Sequence, residues 1–266
     1  MTTIRAFAPG NYRTIPAVFQ YSGGVAAEAG FAIERVTFRE WRPLAQGFER
    51  IATHLKAMGR PLTAFAACEL RSPAQFSEAG FIAFNQLYCE TLARWGIYDP
   101  ATKFNPVARS NVCPLIAQPS EPGFHAFSYT VPVSGPSSGP PSGPSGPSAG
   151  AAPSFVISGS GEAPEGKGAY GRFIVRRGET TPDAMADKAR SVLGEMERRM
   201  GALGFTWTDT TATQIYTIHD IHPFLGSEIV TRGAGRHGVT WHLARPPVIE
   251  LEYEMDCRSV NVERCL

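Results

Sequence analysis

Apolar positions recur along the chain at two spacings, and the alternation between them lays out the elements. After Pro43, the residues Leu44, Phe48, Ile51, Leu55 and Met58 fall on one face of a helix. After Pro182, the residues Met185, Ala189, Val192, Met196 and Met200 repeat the pattern, with TTPD ahead of them as a start signal. A second helix is predicted over 74–96 and a stunted counterpart over 223–233. Short runs between them read as strands: 17–24, 62–70, 107–115 and 124–131 in the first half, and 154–161, 212–220, 234–243 and 247–255 in the second. Each half therefore repeats strand, helix, strand, helix, strand, strand. The pattern predicts a duplicated α+β unit, each copy a mixed β-sheet with two helices packed on one face.

Between the halves, residues 133–153 are almost wholly Ser, Gly, Pro and Ala and read as a linker. This divides the chain into an N-terminal domain, 1–132, and a C-terminal domain, 154–266. Composition narrows the class. Hydrophobic residues make up 43% and charged residues 18%, enough apolar material for a core in each half. The net charge is +1 with no basic stripe, which argues against nucleic acid as a partner. No run reaches the ~18 apolar residues of a membrane span. The five cysteines form no CxxC pair and fit a reduced, cytoplasmic protein.

Two strands carry unusual charge. In 107–115, Val107, Arg109, Asn111 and Cys113 share one face, and helices on the opposite face would leave Arg109 on the helix-free side. An arginine there needs an anion, and its guanidinium fork suits a ligand carboxylate; a structural ion pair is the plainer alternative. In the last strand, Glu250, Glu252 and Glu254 alternate with Ile249, Leu251, Tyr253 and Met255, which puts three carboxylates on one face. They are either a solvated surface or a source of proton chemistry in a cleft. His219 and His222 are three apart, but the context reads strand-then-turn and no third ligand is evident, so no metal is expected. The glycines of SGSGEAPEGKGAYG lack phosphate-loop spacing and suit a hairpin tip beside a cleft.

These residues together resemble the RidA (YjgF) family of enamine/imine deaminases. The resemblance rests on Ser22-Gly23 after an early strand, Asn85 with Tyr88 on the second helix, Ala108-Arg109-Ser110, and Glu250-Leu251-Glu252 at the end of the second half. It implies two tandem chorismate-mutase-like domains and a homotrimer with a pseudo-sixfold arrangement of domains. The trimer would cover the helix-free sheet faces. It also implies an arginine that grips a substrate carboxylate, Arg109 or its second-half counterpart Arg236, and an acid, Glu250, that directs a water. Ser22, Asn85, Tyr88, Ser110, Asn111, Ser158, His242 and Glu252 would line the substrate site. The sequence departs from the family where Asn111 stands in place of a frequent Cys, where the first half lacks the final acid, and where His237 follows Arg236. Two pairings stay open: Arg109 with a second-half glutamate across the domains, or Arg236 with Glu250 inside the second half.

The activity implied is hydrolysis of a 2-imino or 2-enamino carboxylate, such as 2-aminomuconate, to a 2-oxo acid and ammonia, without metal or organic cofactor. A chorismatase-like hydrolase, also built from two such domains, and a non-catalytic small-molecule-binding protein are the alternatives.

Overall fold

The computed structural model describes residues 2–133, 152–166 and 170–266. Most of the 133–153 stretch lies outside the described residues. In chain order the elements are β1 (Arg5–Phe7), β2 (Tyr12–Ile15), β3 (Gly24–Ala27), β4 (Phe31–Pro43), α1 (Leu44–Ala57), β5 (Phe65–Arg71), α2 (Glu78–Arg94), β6 (Ala108–Pro114) and β7 (Gly123–Pro132). The second half continues with β8 (Phe155–Gly161), α3 (Pro182–Leu203), β9 (Ala212–Tyr216), α4 (His222–Phe224) running into a π-helical turn at Leu225–Val230, β10 (Thr240–His242), β11 (Ala244–Arg245), β12 (Glu254–Ser259) and β13 (Glu263–Cys265).

The chain is mixed α+β, with two mixed sheets ordered β11-β6-β5-β7-β4-β13 and β1-β2-β3-β8-β12-β9-β10. The internal repeat is visible in the strand order: β4-β7-β5-β6 in one sheet matches β8-β12-β9-β10 in the other. Pairing senses match as well, with the first two pairs antiparallel and the last parallel in each. The helices form where the periodicity places them. Phe48, Ile51 and Leu55 of α1 are buried in one core with α2 residues Tyr88, Cys89 and Leu92. Met185, Ala189, Val192, Met196 and Met200 of α3 are buried in the other. Ser77 caps α2, its hydroxyl accepting the Gly80 N–H at 3.1 Å. Pro182 occupies the first position of α3, and Gly204 ends it at φ 89°.

The sheets do not follow the expected division at the linker. The N-terminal strands β1–β3 extend the second half's sheet through β3–β8, and C-terminal β13 pairs parallel with β4 at the edge of the first. Each chain end thus completes the sheet of the other half. The helix-free faces of the two sheets lie against one another. Glu69 and Ser128 of the first sheet enclose a narrow space with Val156, Ser158, Asp256 and Arg258 of the second. Arg35 fills this seam with a two-pronged pairing to Glu69 at 2.6 and 2.9 Å. The bare sheet face on which the trimer expectation rested is covered within one chain.

Three predicted strands are redrawn. Residues 17–23 are turns joined by isolated bridges, and β3 begins only at Gly24. The run 234–243 is strand only over Thr240–His242, so Arg236 lies outside any sheet. The last strand starts at Glu254 rather than 247, because both neighbours end there: Glu254 pairs with Gly161 of β8 and Tyr216 of β9, the last residues of those strands. Upstream of Glu254 no backbone remains for a ladder to bond. Among the described residues no helix is long and apolar enough to cross a membrane.

Candidate active site

Arg109 is 3% exposed, and a guanidinium is almost never so buried without partners. It faces α2, not the helix-free side. β5 and β6 run parallel with Cys68 beside Arg109, and Cys68 Sγ lies 3.4 Å from the Tyr88 hydroxyl on α2. The helix tolerates the charge because its inner face carries a polar residue among apolar ones. Arg109 Nη1 donates to Asn85 Oδ1, and the guanidinium sits 5.1 Å from the Tyr88 ring, 5.5 Å from Phe81 and 5.1 Å from Tyr21. Three aromatic faces thus hold the cation flat. The other terminal nitrogen, Nη2, is buried with no acceptor among the described residues, and so are Asn85 Nδ2 and Asn111 Nδ2. Unmatched buried donors cost ~1–3 kcal/mol each, and three at one place mark a site built for an acceptor-rich ligand.

The cavity beside Arg109 is walled by Tyr21, Phe81 and Asn111 from the first half and by Gly159, Leu251 and Glu254 from the second. Glu254 is 4% exposed, and no donor among the described residues reaches its carboxylate. Burial pushes its carboxyl well above the usual carboxylate range; nearby Asp256 adds to the rise, and Arg109 opposes it. A buried carboxyl whose pKa is raised, lining the same cavity as a buried guanidinium, is the arrangement a proton-donating anion site requires.

Two local features aim Glu254. The register of β12 against β8 slips between Met255 and Cys257, so one extra residue of β8 is accommodated near Ser158 and Gly159. Gly159 lacks a side chain where the carboxylate lies: a Cβ built there would overlap Glu254 Oε1. Upstream, the fully buried Glu162 accepts the N–H groups of Glu252 at 2.7 Å and Tyr253 at 3.1 Å, and is paired with fully buried Lys188 at 3.1 Å. This clamp ties down the chain just before the strand begins.

The structure brings together Arg109, Asn85, Tyr88 and Asn111 of the residues expected at the site. Ser158 supports them, its hydroxyl accepting the Arg109 backbone N–H at 3.0 Å and donating to the Ser22 carbonyl. Ser22 is buried behind it, donating to the Pro106 carbonyl at 2.9 Å. Ser110 points into the seam between the sheets rather than into the cavity.

Four expected residues lie elsewhere. Arg236 is exposed and donates to the Thr208 carbonyl at 2.9 Å. Glu250 is a loop residue at φ 75°, held at the surface by Arg177 at 2.7 Å. Glu252 is taken by His219 at 2.8 Å and by Arg245 at 2.5 Å. His242 stacks on Tyr216 and meets Gln214 at 3.1 Å, and burial, with Arg71 nearby, draws its pKa down to about 4. Arg236 and Glu250 therefore do not meet. The glutamate that shares a cavity with Arg109 across the halves is Glu254 rather than Glu250. His219 and His222 do not converge either, since His222 meets Asp220 at 2.6 Å. Glu254 was visible in the Glu-x-Glu-x-Glu alternation, and only the strand boundary singles it out. Tyr21 and Phe81 carried no sequence signal, and Gly159 and Glu165 only that of the glycine-rich stretch expected beside a cleft.

A family profile described as "2-aminomuconate deaminase CnbZ" matches residues 4–264. A relative from Comamonas testosteroni, "2-amino-5-chloromuconate deaminase", is 48% identical over 260 residues, 98% of each chain. Among solved structures, a chorismatase superposes with a TM-score of 0.47 at 13% identity, covering 89% of this chain and 77% of that one.

Proposed function

The chain belongs to the 2-aminomuconate deaminase CnbZ family, and on that premise we propose that it releases ammonia from a 2-amino-dienedioate by hydrolysis in the cavity between Arg109 and Glu254. The observation that carries the reading is the convergence on one cavity of a buried guanidinium, with a nitrogen unpaired among the described residues, and a buried carboxyl whose pKa burial raises. Arg109, with Asn85 and Asn111, holds the carboxylate next to the amino carbon. Glu254 gives its proton to a carbon of the enamine and leaves an iminium, and the resulting carboxylate gains stability from Arg109. Water adds to the iminium carbon, and the proton it gives up ends on the nitrogen of the carbinolamine so formed. The C–N bond then breaks, ammonia leaves, and the hydroxyl proton returns to Glu254 as the 2-oxo acid forms. The matched strand order of the two sheets supports reading the chain as two tandem RidA-type units.

The test is ammonia release from 2-aminomuconate, followed alongside loss of the dienamine absorbance. Arg109→Lys keeps the charge and loses the fork. It lowers kcat/KM by about 10- to 100-fold, the worth of one charge-assisted hydrogen bond. Arg236→Lys stays within twofold. Equal effects of the two would sink the assignment.

A further inference from the structure

Glu165 belongs to the glycine-rich stretch that the sequence places near a cleft, and the reaction above leaves it without a role. It lines the same cavity as Arg109 and Glu254. It also lines a second cavity of about 500 Å³, bordered by Arg198, Ser191 and Pro16, so Gly161, Ala163 and Glu165 form the wall between the two. Its Oε1 receives the Arg199 Nη2 at 2.6 Å and the Tyr21 hydroxyl at 2.9 Å. Arg199, 1% exposed, is itself pinned by Glu195 at 2.8 Å and by the Ser158 carbonyl at 3.0 Å. Glu165 Oε2 has no protein donor among the described residues. The Tyr21 that holds Glu165 also lays its ring on Arg109.

The two carboxyl groups of this cavity therefore differ in kind. Glu254 has no cation or hydroxyl bonded to it, whereas Glu165 is bound by both. A guanidinium and a hydroxyl bonded to one oxygen of a carboxylate orient it and leave its other oxygen as an acceptor, and carboxyl pairs whose surroundings diverge divide acid and base work.

We propose that Glu165 is the second catalytic carboxylate, accepting through Oε2 the proton of the water that adds to the substrate's iminium carbon. The step rests on the deaminase reading and balances with it. Water gives its oxygen to the carbon and a proton to Glu165. Glu165 then passes that proton to the carbinolamine nitrogen, and the C–N bond breaks with its electron pair leaving as ammonia. Each glutamate ends with the protons it began with. The larger cavity behind Glu165 supplies the water.

The division of labour separates two observables. Protonation of the enamine carbon by Glu254 is reversible, so turnover in D2O washes deuterium into the 2-aminomuconate that remains. In Glu165→Gln, ammonia release falls by about 100-fold, while deuterium wash-in stays within threefold of the native rate. Glu165→Asp, which keeps the carboxylate, regains at least tenfold over the glutamine variant. Ammonia release within fivefold of native in Glu165→Gln, wash-in that falls in step with ammonia release, or equal loss in the Asp and Gln variants each overturns the proposal. The first of these results leaves the deaminase reading intact. A native protein that releases no ammonia from 2-aminomuconate defeats that reading and this proposal together.

Discussion

In the first half α2 runs for 17 residues and lays Phe81, Asn85 and Tyr88 beneath the arginine of β6. In the second half the matching segment is three helical residues and one π-helical turn, and Arg236, in the loop that follows, reaches only a surface carbonyl. The reverse holds at the last strand of each unit. β12 brings Glu254 into the cavity, while β7, paired in the same order, carries no acid at all. The halves share a strand order and contribute differently to the cavity, one supplying the buried arginine and the other the buried acid. A buried charge is retained only where neighbours stabilise it. Without a full second helix there is no floor for a guanidinium, and without Gly159 of β8 there is no room for the carboxylate.

The sharpest way to break this comparison is to remove the acid from each candidate position. Glu254→Gln keeps shape and loses the proton, and kcat falls by about 10³-fold, within the range of general acid catalysis. Glu250→Gln loses a surface ion pair worth at most ~1 kcal/mol and leaves kcat within twofold. Ammonia release measures both, and similar losses would return the role to the loop.

Next in size is the glycine that makes room. Gly159→Ala drives a methyl group into Glu254 Oε1, overpacks the seam and costs ~1–3 kcal/mol of stability, with a further loss of kcat. On α3, nothing lies within 4 Å of a Cβ added at Gly194, and Gly194→Ala gains ~0.5–1 kcal/mol of helix stability. Urea denaturation reads the two opposite signs.

The smallest effect is a slope. Glu254 acts in its protonated form and its pKa is raised, so kcat is full below that pKa and declines about tenfold per pH unit above it. The same shift makes folding less favourable as pH rises from the ordinary carboxylate value toward the raised one, because the native state holds a proton that the unfolded chain has released. Glu254→Gln removes the basic limb and this stability slope; Glu252→Gln leaves both.

Some of this was legible along the chain because it depends on local pattern. Residues at three- and four-residue spacing bury one helix face whatever they pack against, and Met185 to Met200 did so as read. Arg109 stands out along the chain because an arginine between Val107 and Asn111 needs an anion, although a structural ion pair would satisfy it as well as a ligand. Choosing among Glu250, Glu252 and Glu254 was not possible, since all three share one alternation. The choice fell to where β8 and β9 end, which is set by partners distant in sequence. The face on which Arg109 lies was misjudged for a related reason: the pattern shows that strand faces differ, not which of them α2 covers.

The sequence by itself determined the helix faces, the repeated succession of helices and strands, and an arginine in want of an anion. Tertiary structure decided that β1–β3 complete the second sheet and β13 the first, that the two helix-free faces close on each other, and that Arg109, Glu254 and Glu165 line one cavity across the halves. Periodicity is a property of neighbours in the chain, whereas a burial that raises the pKa of one carboxyl and sets a guanidinium against another depends on atoms that only folding brings within a few ångströms.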